Sequence, residues 1–145
     1  IRDRNGEALK RLAAMVEAQG GDSSVIFDTD KFEKAAYQHE VLAKKSGYIT
    51  FMDTESCGIA SAMLGAGRET KDSQIDFAAG IILKKKVGDY VEAGEPMAVF
   101  YADKEELFAA AELRYQAAVT IEDEKANETP LVYARVTKDQ VERLA

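Results

Sequence analysis

Leu64-Gly65-Ala66-Gly67-Arg68, with Thr70 and Lys71 close behind, combines glycine amides with two cationic side chains, the ingredients of a phosphate cradle. The order is wrong for that chemistry. A phosphate loop presents amides at the start of a helix, whereas here a helical apolar run, Ile59, Ala60, Met63 and Leu64, precedes the glycines. The segment therefore reads as a helix C-terminus, with Arg68 beside the negative end of the dipole. His39 is the single histidine, and in a strand its neighbour Glu40 points to the other face, so adjacency does not make them a pair. Cys57 falls in a predicted helix without a second Cys or His nearby, which leaves no zinc site and a small buried residue. Lys84-Lys85-Lys86 reads as a solvated strand end. The acidic runs Asp103-Lys104-Glu105-Glu106 and Glu122-Asp123-Glu124 lack the ligand spacing and central glycine of a calcium loop. No catalytic, cofactor-binding or metal-ligating role is assigned to any residue.

The elements that must hold these residues follow from apolar spacing. Leu9, Leu12, Ala13 and Val16 mark a helix over 7–19 with one buried stripe, stopped by Gly20-Gly21. Residues 22–36 are predicted as a connecting loop and domain boundary. Strands are predicted at 37–43 and 48–52, with Ser46-Gly47 between them. A helix capped by Asp53 or Thr54 follows, then a polar loop over 68–74 and strands at 75–83 and 97–101. Leu107, Phe108, Ala111, Tyr115 and Ala118 form the stripe of a helix over 104–118. Short strands at 119–121 and 131–136 and a last helix over 138–144 complete the chain. Helices and strands mix without regular alternation, so the predicted class is α+β.

Composition narrows the function. With 26 acidic against 19 basic residues, a net charge of −7 disfavours the phosphate backbone of nucleic acid as a partner. No apolar run approaches the roughly 20 residues of a membrane span, and one cysteine cannot form an internal disulfide. The expected setting is cytoplasmic, without a membrane or nucleic acid partner. A helix beginning almost at Ile1 leads to the expectation of a piece of a longer polypeptide.

Between the two best strands lies Lys86-Val87-Gly88-Asp89-Tyr90-Val91-Glu92-Ala93-Gly94-Glu95, with glycines where the backbone needs positive φ and an Asp able to bond its own turn. This resembles the turn of a biotinyl- or lipoyl-type barrel. In such carriers the modified lysine sits at a tight turn one short strand further on, a register that Ala102-Asp103-Lys104 matches. Lys104 as a swinging arm is thus a concrete alternative. The helical pattern following it, and the lack of a second glycine-marked half, speak against it.

Glu17-Ala18-Gln19-Gly20-Gly21, Lys45-Ser46-Gly47-Tyr48-Ile49, Met63-Leu64-Gly65-Ala66-Gly67-Arg68, the approach from Asp76 to Gly80 and the 86–95 segment occur in one order across the chain. Together they resemble the C-terminal part of pyrimidine-nucleoside phosphorylases, including the related thymidine phosphorylases. The resemblance implies an α/β-hammerhead with a biotinyl/lipoyl-like barrel motif over 37–145, preceded over 1–36 by the last helix and linker of an upstream catalytic α/β domain. It implies a pentosyltransferase in which phosphate displaces a pyrimidine from a nucleoside to give pentose 1-phosphate. The groups that hold phosphate and base lie upstream in that family, so the expectation is a scaffold domain, inactive alone, without its own cofactor. The implied partners are the upstream catalytic domains, phosphate and nucleoside in the full-length enzyme, and a second copy in a homodimer.

Overall fold

In a computed structural model the chain is described over residues 6–68, 70–72, 74–126 and 132–144. Three helices and eight strands occur among these residues: α1 (Glu7–Ala18), β1 (Tyr37–Leu42), β2 (Gly47–Met52), α2 (Thr54–Ser61), β3 (Gly80–Leu83), β4 (Tyr90–Val91), β5 (Pro96–Ala102), α3 (Phe108–Ala118), β6 (Val119–Glu122), β7 (Ala134–Val136) and β8 (Val141–Arg143). The α+β class is the observed one.

Two antiparallel three-stranded sheets carry the body, ordered β1-β5-β3 and β4-β2-β6, and β7 and β8 form a separate hairpin. The central strand β5 is the most apolar of the chain, and Met97, Ala98, Phe100 and Ala102 on it are fully buried. Phe100 meets Tyr115 of α3 edge to face, with ring centroids 5.5 Å apart. Ile49, Leu64, Val41 and Val91 complete the largest fully buried side chains. Each large side chain buried there contributes about 1.5–3 kcal/mol, so the single core shared by both sheets, α2 and α3 is the main source of stability. The stripe expected on α3 is the buried one: Phe108, Ala111, Tyr115 and Ala118.

The chain between β3 and β5 does more than turn. β3 and β5 pair as neighbours, Gly80 opposite Tyr101 through Leu83 opposite Ala98. The intervening segment leaves that sheet, adds β4 to the edge of β2, and returns. The two-residue β4 is invisible as a sequence pattern because its hydrogen bonds come from a remote strand.

Several elements differ from expectation. The strand predicted over 75–83 begins only at Gly80, because Asp76 accepts hydrogen bonds from the amides of Ala78 and Ala79 at 2.9 and 3.2 Å and folds 76–79 into a turn. Residues 22–36 contain two 3-10 turns, Ser23–Ile26 and Thr29–Lys31, each opened by an Asp side chain. The helix predicted from 104 starts as a 3-10 turn, Glu105–Leu107, before α3 proper. Of the stripe on α1 only Ala13 is buried, while Leu9 and Leu12 are 47% and 39% exposed.

The last predicted helix is in fact β8. Thr137 Oγ1 accepts from the amides of Asp139 and Gln140, a pattern that serves a helix cap and a tight turn equally well. The backbone decides it: Thr137 N donates to Gln140 O at 2.9 Å and Val136 pairs with Val141. A helix of seven residues would not have sustained itself. The preceding strand is Ala134–Val136, shorter than expected because Val132 and Tyr133 are not in strand, and Leu131 lies outside the described residues.

Candidate functional site

The glycine-marked segment is stitched into the body through its own glycines. Gly88 and Gly94 have φ of 94° and 85°, as expected. In that conformation each amide meets a carbonyl of the body: Gly88 N donates to Ile49 O of β2 and Gly94 N to Ala43 O just after β1, both at 2.8 Å. Asp89 closes the turn by accepting from Lys86 N at 2.8 Å. Lys85, expected to be merely solvated, instead donates to Glu95 Oε1 at 2.7 Å and to Tyr90 O at 3.0 Å, bracing the two ends of the segment. The Lys85 ammonium and the Glu92 amide hold the Glu95 carboxyl below its ordinary range. These contacts brace the hairpin tip, with Lys85, Asp89 and Glu95 engaged in structure.

His39 has a partner that its sequence neighbours did not reveal. Its Nε2 lies 2.8 Å from Glu112 Oε2 on α3, and its ring stacks on Phe108 at 5.3 Å. Glu40 stays exposed, as the strand alternation requires. A histidine oriented by a carboxylate can hold or pass a proton, but proton transfer needs a third group to receive it. The ring face is taken by Phe108, so the pair acts as a polar tie between β1 and α3.

Gly65, with φ 111°, lies inside the wider turn over Ala62–Ala66 that continues α2, and Gly67 follows it, so the two glycines end a helix as expected. Gly65 O accepts from Asp76 N at 2.9 Å, which packs the 76–79 turn against the helix end. The cavity beside Gly65, about 460 Å³, is lined by Glu33, Asp76 and Asp103 against Lys104, its one cation among the described residues. Three carboxylates around a cavity repel phosphate. Lys104 itself precedes the 3-10 turn into α3, with extended φ and ψ, and a helix follows where a carrier domain would place its second strand. Asp103 is engaged in structure, accepting from Ala36 N at 2.9 Å.

Cys57 is half-buried, and burial together with the Asp53 charge raises its thiol pKa, the opposite of what a nucleophilic cysteine needs. Near it the Tyr115 hydroxyl is buried without a hydrogen-bond partner among the described residues, and burial pushes its pKa up to about 12. No group of three His, Cys, Asp or Glu suited to a metal occurs among the described residues. A second cavity, about 640 Å³, lies over the outer face of β1-β5-β3 and is walled by the 33–38 segment, with Tyr37, Ile82 and Tyr101 in its lining. No helix among the described residues is long and apolar enough to cross a membrane.

Fold and site together define a mixed α+β domain organised around a glycine-marked hairpin tip, a frame that the Lys85–Glu95 and His39–Glu112 pairs help to hold. The chain belongs to the pyrimidine nucleoside phosphorylase C-terminal domain family, which its residues 48–122 match. A pyrimidine-nucleoside phosphorylase of Bacillus subtilis (strain 168) is 47% identical over 102 residues, covering 70% of this chain and 24% of that protein. A pyrimidine-nucleoside phosphorylase of Staphylococcus aureus (strain USA300) is 38% identical over 134 residues, covering 92% of this chain and 30% of that protein. The chain thus spans between 24% and 30% of the length of these two relatives.

Proposed function

We propose that this chain is the C-terminal domain of a pyrimidine-nucleoside phosphorylase, and that it supports a reaction carried out by polypeptide preceding it. In that reaction a phosphate oxygen bonds to C1 of the pentose as the N-glycosidic bond breaks. The bonding electron pair leaves with the pyrimidine, which takes up a proton, and pentose 1-phosphate remains. Such a transition state needs a phosphate clamp and hydrogen-bond donors to the departing base. The observation that carries the reading is 38% identity spread over 92% of this chain against a named phosphorylase of which it spans 30%.

In this reading residues 1–36 are the last helix and linker of the catalytic α/β domain, and residues 37–145 are the appended domain. The appended domain is a hammerhead with a biotinyl/lipoyl-like barrel motif that carries no cofactor of its own. The hydrogen bond from Ala36 N to Asp103 supports putting the junction there. The full-length enzyme works in the cytoplasm as a homodimer, binding phosphate and pyrimidine nucleoside. The test is phosphate-dependent release of base from uridine and thymidine, measured with the 145-residue chain and with the polypeptide that includes upstream sequence. Turnover is expected from the longer protein alone. Turnover by the 145-residue chain would overturn the division of labour, and turnover by neither would overturn the assigned reaction.

A further inference from the structure

The β7–β8 hairpin is an arm with an apolar pair on each face. Antiparallel register places Val136 opposite Val141 on one face. On the other, Tyr133 and Leu144 face each other where Leu144 N donates to Tyr133 O at 2.9 Å, next to Arg135 opposite Glu142. All four apolar side chains are exposed, Val136 by 73% and Val141 by 63%. Among the described residues the hydrogen bonds of 132–144 stay inside the hairpin, and its two strands form a sheet of their own. Thr137 fixes the turn, so the arm's shape is set locally. An isolated two-stranded hairpin is marginal in water, and its exposed edges invite pairing.

We infer that this arm is clasped by the upstream part of the polypeptide, which covers both of its faces. The inference rests on the proposed function, and two observations choose the occupant. A relative 38% identical to this chain has more than two thirds of its length outside the match, so in the proposed full-length protein a body larger than this domain is available to cover the arm. A two-fold contact between copies of the hairpin would bury one face and leave the other wet, whereas apolar pairs on both faces call for two walls, as a cleft in a larger body supplies.

Amide hydrogen exchange of residues 133–136 and 141–144 tests this in the 145-residue chain and in the polypeptide that includes upstream sequence. Exchange at least about tenfold slower in the longer protein is expected, and equal rates would overturn the clasp. Protection that grows with concentration in the 145-residue chain would instead assign the arm to a second copy and overturn the proposed occupant. Val136→Asp combined with Val141→Asp gives an independent arm: it should lower the unfolding midpoint of the longer protein and leave that of the 145-residue chain unchanged. No shift in either overturns the inference. The phosphorolysis assay is separate from these readouts, so an inactive longer protein with a protected hairpin would remove the assigned reaction and keep the clasp.

Discussion

Tyr115 spends its ring and wastes its hydroxyl. The ring is fully buried against Phe100, while the hydroxyl has no partner among the described residues and titrates only near pH 12. Removing a buried, unpaired polar atom relieves a desolvation cost, so Tyr115→Phe should leave stability unchanged or raise it by up to about 1 kcal/mol. Urea denaturation checks this, and a clear loss would reveal an unseen partner for the hydroxyl. Glu95 offers a pH test. Its folded pKa is depressed below the ordinary 4.5 by Lys85 and the Glu92 amide. The ionised form is therefore favoured by folding, and its contribution is present above about pH 4.5 and lost as pH falls through the lower folded value. Glu95→Gln should be less stable than the parent at pH 7, with the gap narrowing as the pH falls below 4.5. A gap that stays constant with pH would mean that the Lys85 contact contributes through packing alone.

At the scale of elements, close approach matters more than turn strain. At Gly47, φ is 148° and an added Cβ would lie 2.6 Å from the Glu122 carbonyl oxygen, a backbone atom of β6. At Gly94, φ is 85° but the space around it is open. Gly94→Ala should therefore cost about 1–2 kcal/mol from left-handed strain alone. Gly47→Ala should cost more, because β6 must move away from β2 and the pairing of Tyr48 with Glu122 goes with it. Midpoints of the two variants give the comparison, and an equal loss would refute the steric account. The elements legible in the sequence were those whose period was long or whose core was local: α3, β5, and the turn with Gly88 and Gly94. β4 and β8 were not legible. The first has only two residues, and the second follows a Thr137 motif that fits a helix start as well as a turn.

At the scale of the molecule the choice lies between a carrier and a support. A carrier needs a lysine displayed at the tip of a two-strand turn, and here the tip is the braced 84–95 segment while Lys104 leads into a helix. The intact mass of this chain, made in a host with active lipoylation and biotinylation, should be that of the unmodified polypeptide. A mass increase localised to Lys104 would restore the carrier reading. α1 fits the support reading too, since Leu9, Leu12 and Met15 remain 47%, 39% and 52% exposed, a stripe patterned for burial against something larger.

The sequence by itself determined the α+β class, the family and the conformations of Gly88 and Gly94, because each depends on residue order and on local φ and ψ preferences. It also determined that the glycines at 65 and 67 close a helix, since the apolar run lies before them. Tertiary structure alone decided what the titratable groups do. His39 finds Glu112, Lys85 finds Glu95 and Asp103 finds Ala36 N through chain crossings that no local pattern encodes. A side chain's neighbours in space are set by how β1, β5 and α3 pack. That packing turned His39, Lys85 and Asp103, three of the polar groups weighed in the sequence, into braces for the frame.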